Sequence, residues 1–207
     1  MKIVVFGSTG GTGREVARQA LEAGHTVTAV ARNPSAVKIQ AERLRVLQGD
    51  VLVPETLPAA VMDQDAVIFA VGVADRSPTK LYSAGVTNVL FAMRAAKVRR
   101  LICVSASGLD PGVWIQKVVA RPLLWRIFKY GYTDMSNMET VVKDSAMDWT
   151  ILRPPRLTNG RRSEKYQVAV DRQLTGGWFL SRADLADYIV KHVQDTSIYR
   201  SMVELAY

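Results

Sequence analysis

Gly7, Gly10 and Gly13 carry the spacing G-x-x-G-x-x-G and follow directly on the apolar run Ile3-Val4-Val5-Phe6, a pattern suited to holding a pyrophosphate. Gly7 permits a tight turn, Gly10 removes the side chain that would block a phosphate, and Gly13 lets the next helix pack closely on the strand. Exposed N–H groups and the helix dipole then attract the anion. Ser8, Thr9 and Thr12 add hydroxyls able to donate to the same oxygens, and Gly11 completes the loop. The plainer alternative is a tight strand-to-helix connection without a ligand. About 20 residues further on, a second strand ends at Ala31-Arg32-Asn33-Pro34-Ser35, where an NAD-selective site would place Asp or Glu against the ribose hydroxyls. Arg32 can instead pair with a 2′-phosphate or stack on adenine, with Ser35 assisting, so the expected cofactor is NADP(H). A solvated surface arginine is the other reading. In Gly49-Asp50-Val51, two roles fit Asp50: accepting from the adenine amine, or capping a helix ahead of Pro54-Glu55.

These residues need a scaffold that gathers strand ends. Apolar runs of strand length at 3–7, 26–31, 44–48, 66–71, 101–105 and 149–152 alternate with helix-patterned stretches, which predicts a parallel sheet buried on both faces. A helix is expected over 13–23, with Val16, Ala20 and Ala23 on one stripe and Gly24 as its terminator. Another is expected over 78–96, turning Leu81, Val86, Val89, Leu90 and Met93 inward. The fold class is therefore α/β: a doubly wound, mostly parallel Rossmann sheet with helices on both faces, in a single domain over 1–207.

After Ser105 the pattern loosens into Gly108-Leu109-Asp110-Pro111-Gly112 and then a basic, aromatic stretch, a variable insertion at about 108–132. Trp114, Trp125, Phe128, Tyr130 and Tyr132 fit a substrate-facing lid, a packing or dimer surface, or a membrane-surface element. Pro122 interrupts the stripe and counts against the last.

Composition bounds the rest. With 207 residues and 48% hydrophobic content, the chain can fill one sizeable core. No run of roughly 18 apolar residues occurs, so a soluble, cytoplasmic protein is expected. The one cysteine, Cys103, lies in an apolar run, which leaves no disulfide framework and no metal-ligand pair. A net charge of +8 suits an anionic partner, but the basic residues are scattered and no nucleic-acid-binding motif accompanies them, so no specific nucleic acid is expected. The chain is expected to be a monomer or homodimer.

Together, the loop Phe6 to Gly13, Ala31-Arg32-Asn33, Gly49-Asp50-Val51, Asp65-Ala66-Val67-Ile68, Cys103-Val104-Ser105-Ala106, Asp148-Trp149-Thr150-Ile151-Leu152-Arg153-Pro154-Pro155 and Ser181-Arg182-Ala183-Asp184-Leu185-Ala186 resemble the atypical short-chain dehydrogenase/reductase families. Within these, the chain is similar to the NmrA-like and flavin-reductase (biliverdin reductase B-like) proteins. The resemblance implies that residues Thr9 to Thr12 bind pyrophosphate, Arg32 and Ser35 the 2′-phosphate, Asp50 and Val51 the adenine, and Val71 and Gly72 the ribose. It also implies that Cys103, Ser105, Pro154, Pro155, Arg156 and Leu157 surround the nicotinamide. Arg156 stands where the flavin-reductase type carries histidine, and the insertion after Ser107 is a second departure.

Typical short-chain dehydrogenases pair Tyr with Lys four residues on, which lowers the tyrosine pKa for proton exchange with a carbonyl. Here Tyr82, Tyr130, Tyr132, Tyr166, Tyr188 and Tyr199 are followed at that spacing by Val86, Asp134, Ser136, Val170, His192 and Val203. Ordinary ketone reduction and sugar-nucleotide epimerisation are therefore disfavoured. Flat conjugated acceptors such as flavins or quinones give delocalised anions and need no positioned acid. Ser105 is either a hydrogen-bond partner of carboxamide or acceptor, or a strand-end cap, and Arg156 can bind an acidic substituent or stack on an aromatic acceptor. The expected activity is NADPH-dependent reduction of a flat acceptor; the alternative is a non-catalytic NADP(H)-sensing or assembly protein of NmrA type.

Overall fold

The computed structural model describes residues 1–73, 77–107, 121–174 and 176–207, with 121–128 as backbone alone. The chain runs β1 (Lys2–Phe6), α1 (Gly11–Glu22), β2 (Thr26–Ala31), β3 (Leu44–Gln48), α2 (Pro58–Val61), β4 (Ala66–Phe69), α3 (Leu81–Ala95), β5 (Arg100–Val104), α4 (Arg121–Lys143), β6 (Asp148–Arg153), β7 (Arg156–Thr158), β8 (Gln167–Val170), β9 (Phe179–Ser181), α5 (Arg182–Lys191) and β10 (Ser201–Ala206). Eight strands form one sheet in the order β3-β2-β1-β4-β5-β6-β10-β8, while β7 and β9 pair apart from it. Every pairing in the large sheet is parallel except that of the edge strand β8 with β10. The chain order reverses between β1 and β4, which opens a crevice at their carboxyl ends.

Strand alternation sorts the core into two layers. Val4 and Phe6 of β1 point into one cluster with Val67 and Phe69, against Val86, Val89 and Met93 of α3 and Met138 and Val142 of α4. Ile3 and Val5 point the other way, with Ile68 and Ile102, against Val16, Ala17 and Ala20 of α1 and Leu185, Ala186 and Ile189 of α5. A strand covered on both faces must be apolar at every position, and each such fully buried side chain stabilises by about 1.5–3 kcal/mol.

The expected architecture is the observed one, with shifted boundaries. Helix α1 starts at Gly11 rather than at residue 13 and ends before Gly24, whose φ of +87° closes it. Helix α3 begins at Leu81, three residues after Pro78, because Asp134 of α4 caps it there: the Asp134 carboxylate accepts from Tyr82 N at 2.8 Å, Ser83 N at 3.3 Å and the Ser83 hydroxyl. Strand β4 stops at Phe69, short of the expected 71. Pro122 falls in the first turn of α4 and so does not interrupt that helix; its missing N–H is one that the first turn leaves unpaired in any case. The lid, dimer or membrane reading of Trp114 and of the Trp125 and Phe128 side chains lies outside the described residues. Tyr130 is exposed and Tyr132 half-buried. Among the described residues no helix is long and apolar enough to cross a membrane.

Candidate functional site

At the crevice between β1 and β4 lies a cleft of about 460 Å³, within the roughly 300–1,000 Å³ of ordinary ligand pockets. Gly7, Thr9, Gly10, Gly11 and Thr12 form its floor, Ala31, Arg32, Gly49, Asp50 and Val51 one end, and Ala70, Val71, Gly72, Val73, Leu81, Tyr82, Val104, Ser105, Met135 and Leu157 the other.

The floor requires its glycines. Gly7 has a φ of +85°, and a Cβ on it would stand 2.3 Å from the Ala70 carbonyl oxygen, so the loop lies directly against the end of β4. A Cβ on Gly13 would stand 2.2 Å from the Gly7 oxygen, which is why only glycine lets α1 begin this close to the turn. Beyond this turn Thr9, Gly10, Gly11 and Thr12 line the cleft at the N-terminus of α1, with the Arg182 side chain over Gly11, so these residues fit the phosphates of a dinucleotide.

Ser8 is the exception in the loop. Its hydroxyl is buried and donates to the Val30 carbonyl at 2.8 Å, tying the loop to β2 instead of facing the cleft. Arg32 is exposed at the rim. Ser35 is turned away: its hydroxyl donates to Asn33 Oδ1 at 2.8 Å, within a one-turn 3-10 helix outside the cleft lining. Asp50 lines the cleft and caps no helix, since its Oδ1 accepts from Leu52 N at 2.9 Å and shapes the turn.

The opposite end regroups the residues expected around a nicotinamide. Ser105 and Leu157 line the cleft, with Val71 and Gly72 beside them. Cys103 does not: it is buried in the core with Sγ 3.4 Å from Met138 Sδ, and burial, with the Glu139 charge behind it, pushes its thiol pKa up. Pro154 is buried, and Pro155 faces a second, small hollow of about 70 Å³ shared with Ser107, Arg153 and Glu204. Arg156 is exposed on the small β7–β9 ribbon, paired with Phe179, and lines neither hollow. Successive strand residues point to opposite sides, which separates Arg156 from Leu157.

Two features of the site went unread in the sequence. Arg182 lines the cleft above the glycine loop, its Nη1 donating to Asn159 Oδ1 at 2.8 Å. The Ser181-x-x-Asp184 cap signals the start of α5 in the sequence, but only the packing of α5 on α1, where Gln19 Nε2 donates to the Ala183 carbonyl at 2.8 Å, brings Arg182 to the loop. The second is a buried ion pair behind Ser105. The Ser105 hydroxyl donates to Glu139 Oε1 at 2.7 Å, and Arg153 donates to the same carboxylate through Nε at 2.9 Å and Nη2 at 2.5 Å. Tyr82 completes the wall. Its hydroxyl oxygen accepts from Val73 N at 3.2 Å, and burial raises its pKa.

A glycine cradle at the switch point of a doubly wound parallel sheet, followed by a helix whose first turn faces the cleft, defines a dinucleotide-binding protein of the Rossmann class. Residues 7–196 match the NAD(P)H-binding family, and the chain belongs to it. The reductase pytE of Aspergillus terreus is 26% identical over 239 aligned residues, covering 92% of this chain and 90% of that protein. In three dimensions the fold is similar to that of the oxidoreductase ylbE from Lactococcus lactis (TM-score 0.85, 23% identity, 100% and 90% of the two chains). It is also similar to that of a wide-type short-chain dehydrogenase/reductase from Veillonella parvula in complex with NADP (TM-score 0.80, 19% identity, 100% and 94%).

Proposed function

We propose that the chain is an NADPH-dependent oxidoreductase that reduces a flat, conjugated acceptor such as a flavin or quinone. The observation that carries this reading is the pair of arginines on the cleft, Arg32 at the rim beyond β2 and Arg182 over the glycine loop. Thr9 to Thr12 and Arg182 meet the pyrophosphate, Arg32 the 2′-phosphate, Asp50 and Val51 the adenine, and Ser105 and Leu157 the ring end. When bound, NADPH supplies the hydride. The protein's part is to seat the two flat rings together between Val71, Val104, Leu157 and Tyr82 and to exclude water there. The proton needed by a delocalised acceptor anion comes from solvent. The relatives named a reductase and an NADP complex support the same class.

Purified protein with NADPH and a panel of flavins and quinones, followed at the nicotinamide absorbance band, tests this reading. Tight NADPH binding with no turnover on any acceptor would sink it. A second reading, an NADP(H)-sensing protein without turnover, draws on the engagement of the Ser105 proton by Glu139. A set of captured partners that changes between NADP+ and NADPH, without turnover, would select it.

A further inference from the structure

The hydroxyl on the cleft wall at the end of β5 has its direction set from behind. We propose that Glu139 is a positioning residue that holds Ser105 as a hydrogen-bond acceptor toward the cleft, where it takes an N–H from the nicotinamide carboxamide; this rests on the NADPH reading above. Glu139 is buried in α4, and both its oxygens accept from Arg153, at 2.9 Å and 2.5 Å, with Lys143 Nζ 3.7 Å away. A carboxylate engaged in this way has no proton to give, and a serine hydroxyl has only one. That proton goes to Glu139 Oε1 at 2.7 Å, so toward the cleft the Ser105 oxygen is left with lone pairs.

Two consequences follow for specificity. On the nicotinamide ring the carboxamide is the N–H donor, so the wall selects a ring that carries it. Ser105 itself offers no proton to a developing oxyanion, so it does not serve as the acid that reduction of a simple carbonyl would need. The Arg153–Glu139 pair then has a use beyond packing, because it fixes the polarity of one hydroxyl.

Equilibrium binding of three probes to the wild type and to the Ser105→Ala, Glu139→Gln and Glu139→Asp variants tests this. The probes are NADP+, its 3-acetylpyridine analogue, whose acetyl group accepts but cannot donate, and 2′-phospho-ADP-ribose, which lacks the ring. The wild type should prefer NADP+ over the acetylpyridine analogue by about three- to tenfold, the scale of one neutral hydrogen bond. Ser105→Ala should erase the preference. Glu139→Gln, which can turn its amide N–H toward Ser105, should erase or reverse it, and all folded variants should bind 2′-phospho-ADP-ribose alike. Glu139→Asp keeps a charge for Arg153 but withdraws the carboxylate from Ser105, so it should also lose the preference if the glutamine variant does not fold. Equal affinity of the wild type for the two dinucleotides, or a wild-type preference surviving in the Glu139 variants, overturns the proposal while 2′-phospho-ADP-ribose still binds. Failure of all three probes to bind the wild type overturns the cofactor reading itself.

Discussion

Arg182 lies directly over Gly11: its Cδ stands 2.6 Å from the position a Cβ on that glycine would take. The first residue of α5 thus reaches across to the first residue of α1, and a guanidinium sits beside exposed N–H groups at a helix N-terminus. Replacing Arg182 with Ala should weaken dinucleotide binding by about 1.5–3 kcal/mol, the loss of a charge-assisted contact, and should weaken NADH and NADPH alike. Titration calorimetry with both nucleotides checks this; unchanged affinity would mean that Arg182 serves only Asn159 and the β7 loop.

Arg32 should behave differently. Arg32→Glu places a carboxylate where a 2′-phosphate would approach, so NADPH binding should fall by about 1–3 kcal/mol while NADH is spared. Equal loss of both nucleotides would argue against a 2′-phosphate role.

Asp134 holds the start of α3, and so the Tyr82 wall, through three hydrogen bonds to one carboxylate. Asp134→Ala removes a buried cap and strands two N–H groups, an expected cost of about 1–3 kcal/mol. For a chain of this size that lowers the thermal midpoint by roughly 2–4 °C per kcal/mol. Asp134→Asn keeps an acceptor oxygen and should lose less. Thermal melts of the two variants compare them, and an alanine variant as stable as the wild type would remove Asp134 as the reason α3 begins where it does.

Asp184 gives the fold an acid sensitivity. Burial pushes its pKa up, but hydrogen bonds from the Tyr207 hydroxyl, from Glu164 N at 2.8 Å and from Ser163 N at 2.7 Å outweigh this and hold it below the ordinary 3.8. A carboxyl with a depressed native pKa contributes stability above its unfolded value and loses it as pH falls through the native one. Asp184→Asn should therefore destabilise at neutral pH, and its gap from the wild type should close as pH drops below about 4. Urea midpoints across that range measure the gap; a gap that widens toward acid contradicts the assignment.

Much of the fold was legible because a strand covered on both faces is continuously apolar. The expected 26–31 and 44–48 match β2 and β3, and the other early strands shift by one or two residues. Among the later strands β7, β8 and β9 are short, and β10, though six residues long, alternates buried and half-buried residues only over its first four, so no strong period announced them. The same contrast holds at the site. Gly7 through Thr12, Arg32, Asp50, Val51, Val71 and Gly72 come from three strand ends and one loop, and apart from the inward-turned Ser8 they meet on one cleft. Cys103 and Arg156 sit next in sequence to the cleft residues Val104 and Leu157 but face elsewhere, because neighbours along a strand point to opposite sides, while Pro154 and Pro155 lie between β6 and β7 and do not line the cleft.

The sequence by itself determined the glycine cradle and the doubly wound sheet, since both follow from local rules: where a Cβ cannot fit, and which strands must be apolar throughout. Tertiary structure alone decided that Arg182 closes over the loop, that Asp134 caps a helix 52 residues away, and that Ser105 donates its proton to Glu139 across 34 residues. Each of these depends on how α4 and α5 dock on the sheet, and docking is set by the volume and direction of many buried side chains together, not by spacing along the chain.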